Sequence, residues 1–86
     1  MIFVMLGKFR RKPRKEDVLR TPEILTKNGA KQTLAAFWTF GRYDVVLAFE
    51  ADNEAVAMKI ALEFSDLAST ETLIAVPREE ALELLT

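Results

Sequence analysis

Two mainly apolar runs, residues 33–40 and residues 44–51, flank a short break in the pattern. Both runs are rich in aromatic and β-branched residues, which favour strands. The break is Phe40-Gly41-Arg42-Tyr43, where Gly41 can take a positive φ without steric cost. The pattern therefore predicts a β-hairpin at the centre of a small sheet.

Two further apolar segments predict two more strands. Residues 2–6 form a continuous apolar run that ends at Gly7, as expected for a strand buried on both faces. Residues 70–76 predict the fourth strand. In the first hairpin strand, alternation places Phe37 on one face and Trp38 on the other. The predicted sheet therefore has no cleanly polar face.

Two helices follow from periodicity and from their first residues. Asp52 is the predicted N-cap of a helix over residues 53–67, which carries one apolar stripe: Val56, Ile60, Phe64 and Leu67. Pro77 at a first turn, followed by acidic residues, predicts a last helix. This last helix carries Leu82, Leu84 and Leu85.

The first helix is predicted to be short. Thr21 has the properties of an N-cap and Pro22 those of a first helical residue, because proline lacks the N–H that a helix interior needs. The segment Asn28-Gly29 is typical of a helix end. We therefore expect a helix over residues 22–28, with residues 14–20 in a separate turn.

This order of elements predicts an α+β fold. Two split βαβ units give a ferredoxin-like βαββαβ arrangement with a short C-terminal helix and both main helices on one face of the sheet. The strands are apolar on both faces, so a single copy would leave an apolar patch exposed. We expect a second copy to cover that patch, giving a homodimer or a higher oligomer through the sheet face.

Composition narrows the chemistry. Eighty-six residues with 50% hydrophobic and 29% charged side chains indicate one globular domain. The sequence has no cysteine and no histidine, which argues against disulfides, thiolate nucleophiles and the usual zinc sites. We expect no metal and no cofactor. Residues 1–43 carry ten basic and three acidic side chains, a net +7, whereas residues 44–86 carry two and ten, a net −8.

Specific residues also resemble a known family. Gly41-Arg42-Tyr43-Asp44, followed by Val45 and Val46, resembles the Gly-x-Tyr-Asp stretch of the GYD domain family. The preceding Phe37-Trp38-Thr39-Phe40 is similar to the family's aromatic-Thr-Leu run, with Phe40 in place of leucine. The end of the first strand and Ser69-Thr70-Glu71-Thr72 also match, so the resemblance covers one domain over residues 1–86.

The resemblance implies a fold of the dimeric α+β barrel type. Family members are mostly uncharacterised, but the same short motifs are similar to the effector-binding domain of leucine-responsive transcription regulators. That domain binds small molecules between subunits. The resemblance implies at most a stand-alone version of such a domain. Together with the two apolar faces of the sheet and the cluster Arg42-Tyr43-Asp44, it leads us to expect a non-enzymatic domain that binds a small ligand or a partner protein between its subunits.

The candidate ligand-binding residues are Trp38, Arg42, Tyr43 and Asp44. Arg42 could hold an anion, and Tyr43 or Asp44 could fix a ligand at the end of a strand. The alternative is structural: Asp44 would bond the hairpin backbone, Tyr43 would pack, and Trp38 would lie in the core or in a subunit interface.

A basic segment over residues 8–15 gives a second candidate surface. It holds half of the chain's basic side chains, and its candidate anion- or partner-binding residues are Lys8, Arg10, Arg11 and Lys12. An adaptor for nucleic acid or for an acidic partner is the alternative function. We do not expect nucleic acid, because the chain is not basic overall. The segment could also be a solvated loop.

An enzyme without a cofactor, of the kind that some dimeric barrels host, is a third alternative that rests on fold analogy. No catalytic residue is predicted, and without histidine no serine hydrolase triad is possible.

No apolar run approaches the roughly 20 residues of a membrane span, and the first residues do not form a signal peptide. We therefore expect a cytoplasmic protein without a membrane partner. Few amides, many charges and no cysteine suit a thermophile.

Overall fold

The computed structural model describes residues 1–85 and shows four strands and three helices in that range. Thr86, the last residue of the predicted domain, lies outside it. The elements follow the predicted order, and their bounds are β1 Ile2–Phe9, α1 Lys15–Lys27, β2 Gln32–Trp38, β3 Val45–Glu50, α2 Glu54–Phe64, β4 Ala68–Ala75 and α3 Arg78–Glu83.

The four strands form one antiparallel sheet in the spatial order β2-β3-β1-β4. The two central strands are therefore β3 and β1, and each is followed by a helix. This order confirms the predicted α+β, ferredoxin-like arrangement.

One face of the sheet carries the core. Phe3 and Met5 on β1 stand opposite Phe49 and Leu47 on β3, and all four are buried. The rings of Phe3 and Phe49 stack with centroids 5.6 Å apart. From α2, the fully buried Ile60 packs against this layer. The predicted apolar stripe is confirmed for Val56, Ile60 and Phe64, of which Ile60 and Phe64 are buried and Val56 is partly buried. The helix itself is shorter than the predicted 53–67, because it ends at Phe64, and Leu67 packs partly buried against the core from the connection to β4.

The first helix is longer than the sequence predicts. It runs without a break from Lys15 to Lys27, so Thr21 is not an N-cap and Pro22 lies inside the helix. The true start is fixed by Asp17, whose carboxylate accepts a hydrogen bond from Arg14 N at 2.7 Å. Because Ile24 and Leu25 are buried against the core, tertiary packing outweighs the helix-breaking tendency of proline.

Smaller differences occur at other element ends. The N-cap of α2 is Asn53, whose side-chain oxygen accepts from Val56 N at 3.2 Å, and not Asp52 as predicted. Asp52 instead pairs with Lys31 Nζ at 2.7 Å. A bulge in β2 near Leu34 shifts the register with β3. The end of α1 is tied to α2, because Asn28 donates to Glu63 at 2.9 Å.

The opposite face of the sheet, which we call the open face, has no such cover from residues 1–85. Its central row runs across all four strands and consists of Leu73, Val4, Ala48 and Ala35. Val4 is half-buried and Leu73 is 46% exposed. The prediction that β1 is buried on both faces is therefore confirmed for one face only. Of the three leucines predicted on the last helix, only Leu82 lies in α3, since the helix ends at Glu83. Leu82, Leu84 and Leu85 are all exposed.

Candidate ligand-binding site

Asp44 joins the start of β3 to the two neighbouring strands. Its carboxylate accepts a hydrogen bond from Phe9 N at 2.9 Å and lies 3.9 Å from Lys8 Nζ. Its own N–H donates to Gly7 O at 2.8 Å, and its carbonyl accepts from Thr39 N at 2.8 Å. These hydrogen bonds give Asp44 a structural role, which the sequence analysis named as the alternative to ligand binding. The partner of its side chain is the end of β1 rather than the hairpin itself.

The turn before Asp44 depends on Gly41. This glycine has φ of 97°, in the region that favours glycine, so the predicted positive φ is confirmed. The Thr39 hydroxyl donates to Tyr43 O at 2.8 Å and closes the turn. The turn therefore holds Arg42 and Tyr43 at one end of the sheet.

Tyr43 reaches across the end of β1 to β4. Its hydroxyl donates to Glu71 at 2.7 Å, and Glu71 lies on the open face opposite Leu6. This hydrogen bond, together with partial desolvation, raises the pKa of Tyr43 above its ordinary value. The guanidinium of Arg42 lies 5.9 Å from the centre of the Tyr43 ring. Arg42 and Tyr43 therefore stand together at the rim of the open face.

Trp38 lies on the other face of the sheet. It stands opposite Val45, which in turn stands opposite Gly7, and this row faces the helices. The Trp38 ring meets the ring of Phe9 edge to face at 5.4 Å. The structure therefore does not gather the four predicted ligand-binding residues around one pocket: Tyr43 bonds Glu71 on one face and Trp38 faces α1 on the other.

Trp38 is part of the wall of a cavity of about 550 Å³ between α1 and the sheet. Its floor is built from two rows of sheet residues, among them Met5, Gly7, Ala36, Val45 and Leu47. Its roof is one face of α1: Val18, Thr21, Pro22 and Leu25. Phe64 and Leu67 close the end next to α2. Trp38 is 62% exposed although it belongs to the wall, so the cavity opens to solvent beside β2.

The cavity exists because small side chains lie where larger ones would fill it. Gly7, Ala36 and Ala68 contribute little volume to the floor. A Cβ at Gly7 would lie 3.7 Å from Val45 Cβ, an ordinary contact, so steric exclusion does not require a glycine here. The arrangement leaves an apolar volume in the size range of small-molecule sites.

One charged residue lies in the cavity wall within the described chain, and its charge is neutralised. The carboxylate of Asp17 receives both guanidinium nitrogens of Arg11, at 2.8 and 3.0 Å. This pairing, with the hydrogen bond from Arg14 N, lowers the pKa of Asp17 far below its usual range. It also raises the pKa of Arg11. The wall therefore presents no free charge to a ligand.

The four predicted anion-binding residues differ in their surroundings. Arg11 is engaged by Asp17, and Lys8 lies near Asp44. Arg10 and Lys12 are exposed on the connection between β1 and α1, and neither forms an ion pair within residues 1–85. An anion would therefore meet at most two unengaged side chains of this set, and anion binding there stays a prediction.

Sequence reasoning missed the cavity although its signal was present. The roof residues Val18, Thr21, Pro22 and Leu25 are spaced by three, one and three, which is one face of a helix. The assumption that Pro22 must begin a helix divided this face between two segments. In the described range, no group of three or more acidic side chains is placed to hold a metal, and no helix has the length and apolarity of a membrane span.

Comparison with known proteins supports the resemblance that the motifs carry. A search of curated proteins found no match to the chain. A family model, described as the GYD domain, matches residues 5–85, which is nearly the whole sequence. The chain therefore belongs to the GYD domain family, whose function is uncharacterised.

Proposed function

We propose that the protein is a non-enzymatic, homo-oligomeric binding domain. Two copies pack through their open faces, and the assembled domain binds a small ligand. The observation that carries the proposal is the open face itself, an apolar surface on the side of the sheet away from the core helices.

The residues of the open face suit a subunit interface. The central row of Leu73, Val4, Ala48 and Ala35 contains no polar side chain. The charged residues of the same face on β1, β3 and β4 lie outside this row, with Glu50 and Glu71 in the adjacent rows and Lys8 farther out. An apolar centre with a charged rim is typical of interfaces between protein subunits. Because such a face is self-complementary across a two-fold axis, a second copy is the simplest partner.

A charge at the centre of the open face tests this association. Leu73→Glu would bury an unpaired carboxylate between two copies, so we expect the variant to be a monomer where the wild type is a dimer. Light scattering coupled to gel filtration measures the mass. Met58→Glu is the control, because Met58 is also an exposed apolar residue but lies on α2, away from the open face. A wild type that is monomeric across the concentration range would contradict the proposal.

The ligand part of the proposal is supported by the rim residues. Arg42 and Tyr43 stand where the open face ends, so a molecule held between two copies would meet a cation and a phenol. A thermal-shift screen with a broad panel of metabolites tests this idea on the wild type and on Arg42→Ala. We expect at least one compound to raise the wild-type midpoint. If no compound does so, the ligand-binding part of the proposal is wrong and the association remains.

A further inference from the structure

We infer that the cavity between α1 and the sheet is a binding site for an uncharged, mainly apolar organic molecule that carries an aromatic ring. The inference goes beyond the proposed function, because this site is separate from the rim of the open face at Arg42 and Tyr43. The place is inside one subunit, on the face opposite the proposed interface.

Size is the first argument. A volume of about 550 Å³ is several times that of an apolar void that small aromatic molecules already occupy, and it falls within the range of small-molecule sites. Apolar walls without contents lose the dispersion contacts that a filled interior would have. A molecule of suitable shape would restore those contacts, and its binding would stabilise the fold.

The charge of the wall is the second argument. Within the described chain no lysine or arginine lines the cavity, so a carboxylate or a phosphate would find no countercharge there. A cation is not favoured either, because Arg11 already occupies the carboxylate of Asp17. The hydroxyls of Thr33 and Thr70 provide the wall with neutral hydrogen-bonding groups. A neutral ligand with one polar group fits this wall.

The aromatic residues are the third argument. Phe9 and Trp38 meet edge to face and form one side of the cavity, with Phe64 at its end. Aromatic rings favour offset or edge-to-face contact with another ring. The indole ring of Trp38 is largely exposed beside the opening, so a bound ring would shield apolar surface that is now in contact with water.

Two probes that differ by one charge test the inference. N-phenyl-1-naphthylamine is neutral and apolar, and its 8-sulfonate has the same rings with one negative charge. Both fluoresce when they leave water, and the chain's single tryptophan, Trp38, can report their approach by energy transfer. We expect the neutral probe to bind saturably and the sulfonate to bind at least about tenfold more weakly. Equal affinities would overturn the assignment of a neutral ligand.

A pair of neighbouring variants locates the site. Ala36→Phe places a ring in the cavity, whereas Ala35→Phe places the same ring on the open face of the same strand. Ala36→Phe should weaken the neutral probe by about tenfold or more, and Ala35→Phe should leave its affinity unchanged. Circular dichroism confirms that both variants are folded. If the two variants bind the probe equally, the probe is not in this cavity and the inference is wrong.

The oligomer mass is measured in the same samples, so that a failure of the cavity site can be distinguished from a failure of the proposed association. Absence of probe binding by a dimeric wild type contradicts the cavity site and leaves the association standing. Probe binding by a wild type that is monomeric supports the cavity site and contradicts the proposed association. If only the dissociated Leu73→Glu variant binds the probe, then part of a second copy fills the cavity, and the assignment of a small molecule is overturned.

Discussion

The carboxylate of Asp44 accepts a hydrogen bond from the main-chain N–H of Phe9 at 2.9 Å. This bond lies where β1 has passed the end of β3, since the last paired residue of β1 is Gly7 opposite Val45. The side chain of Asp44 thus adds one hydrogen bond between the two central strands beyond the last paired residues. Phe9 then carries its ring to Trp38 on the wall of the cavity.

Removal of this acceptor should destabilise the fold. In Asp44→Ala the N–H of Phe9, which is half-buried, would lose its partner, so we expect the free energy of unfolding to fall by about 1–3 kcal/mol. Urea unfolding at a fixed protein concentration measures the change, because self-association would otherwise shift the midpoint.

Asp44→Asn is the control for this prediction. Its amide oxygen can still accept from Phe9 N, while the attraction to Lys8 Nζ is lost. Since Lys8 is exposed and 3.9 Å away, we expect Asn to retain most of the stability that Ala loses. Equal losses in the two variants would show that the charge of Asp44, and not the hydrogen bond, holds the strands.

The sequence was sufficient for the order of strands and helices because local signals agreed with the final packing. The alternation in residues 44–51 and the stripe Val56, Ile60 and Phe64 each identify a surface that must be buried. Gly41 marks the hairpin turn by the one conformation that other residues rarely adopt. The predicted ends of the elements were less accurate. Asp52 and Asn53 both have side chains that can cap a helix, and the structure shows that Asn53 is the cap.

The site was harder to predict because its residues are brought together by tertiary packing. Trp38 and Tyr43 are five positions apart, yet they lie on opposite faces of the sheet. The cavity is lined by residues of both α1 and β2, and small residues such as Gly7 and Ala36 contribute to it from two different strands. Sequence spacing cannot show which residues of neighbouring strands stand opposite one another, so such a volume becomes visible only once the register is known.

Replacement of Pro22 tests why the first helix is continuous. Proline inside a helix removes one main-chain hydrogen bond and crowds the carbonyl four residues earlier, here that of Val18. Pro22→Ala should therefore raise the free energy of unfolding, by about 1–2 kcal/mol after allowance for the greater freedom of the unfolded chain. Urea unfolding measures this gain.

Glu23→Ala is the matched control for Pro22, because it changes the next exposed position of the same helix without adding an N–H. We expect it to alter stability by much less. If Pro22→Ala is less stable than the wild type, then the proline ring supplies packing in the cavity roof that outweighs the regained hydrogen bond. In that case the packing of the Pro22 ring stabilises the fold by more than the missing hydrogen bond destabilises it.

The hydrogen bond between Tyr43 and Glu71 should be visible in a titration of the chain's single tyrosine. The phenol donates to a carboxylate at 2.7 Å, so ionisation of Tyr43 would break the bond and bring two negative charges together. The pKa of Tyr43 therefore lies above its ordinary value in the native state. This bond should contribute stability that is fully present below pH of about 10 and is lost as the pH rises through the native pKa.

Two substitutions should move this pKa in opposite directions. Glu71→Gln keeps an acceptor but removes the negative charge, so the pKa of Tyr43 should fall towards its ordinary value. Arg42→Ala removes a positive charge that favours the phenolate, so the pKa should rise further. Near-ultraviolet absorbance follows the ionisation, and Glu79→Gln on the exposed helix α3 should leave it unchanged. If Glu71→Gln does not lower the pKa, then Tyr43 and Glu71 are not bonded in solution, and the rim of the open face has a different structure.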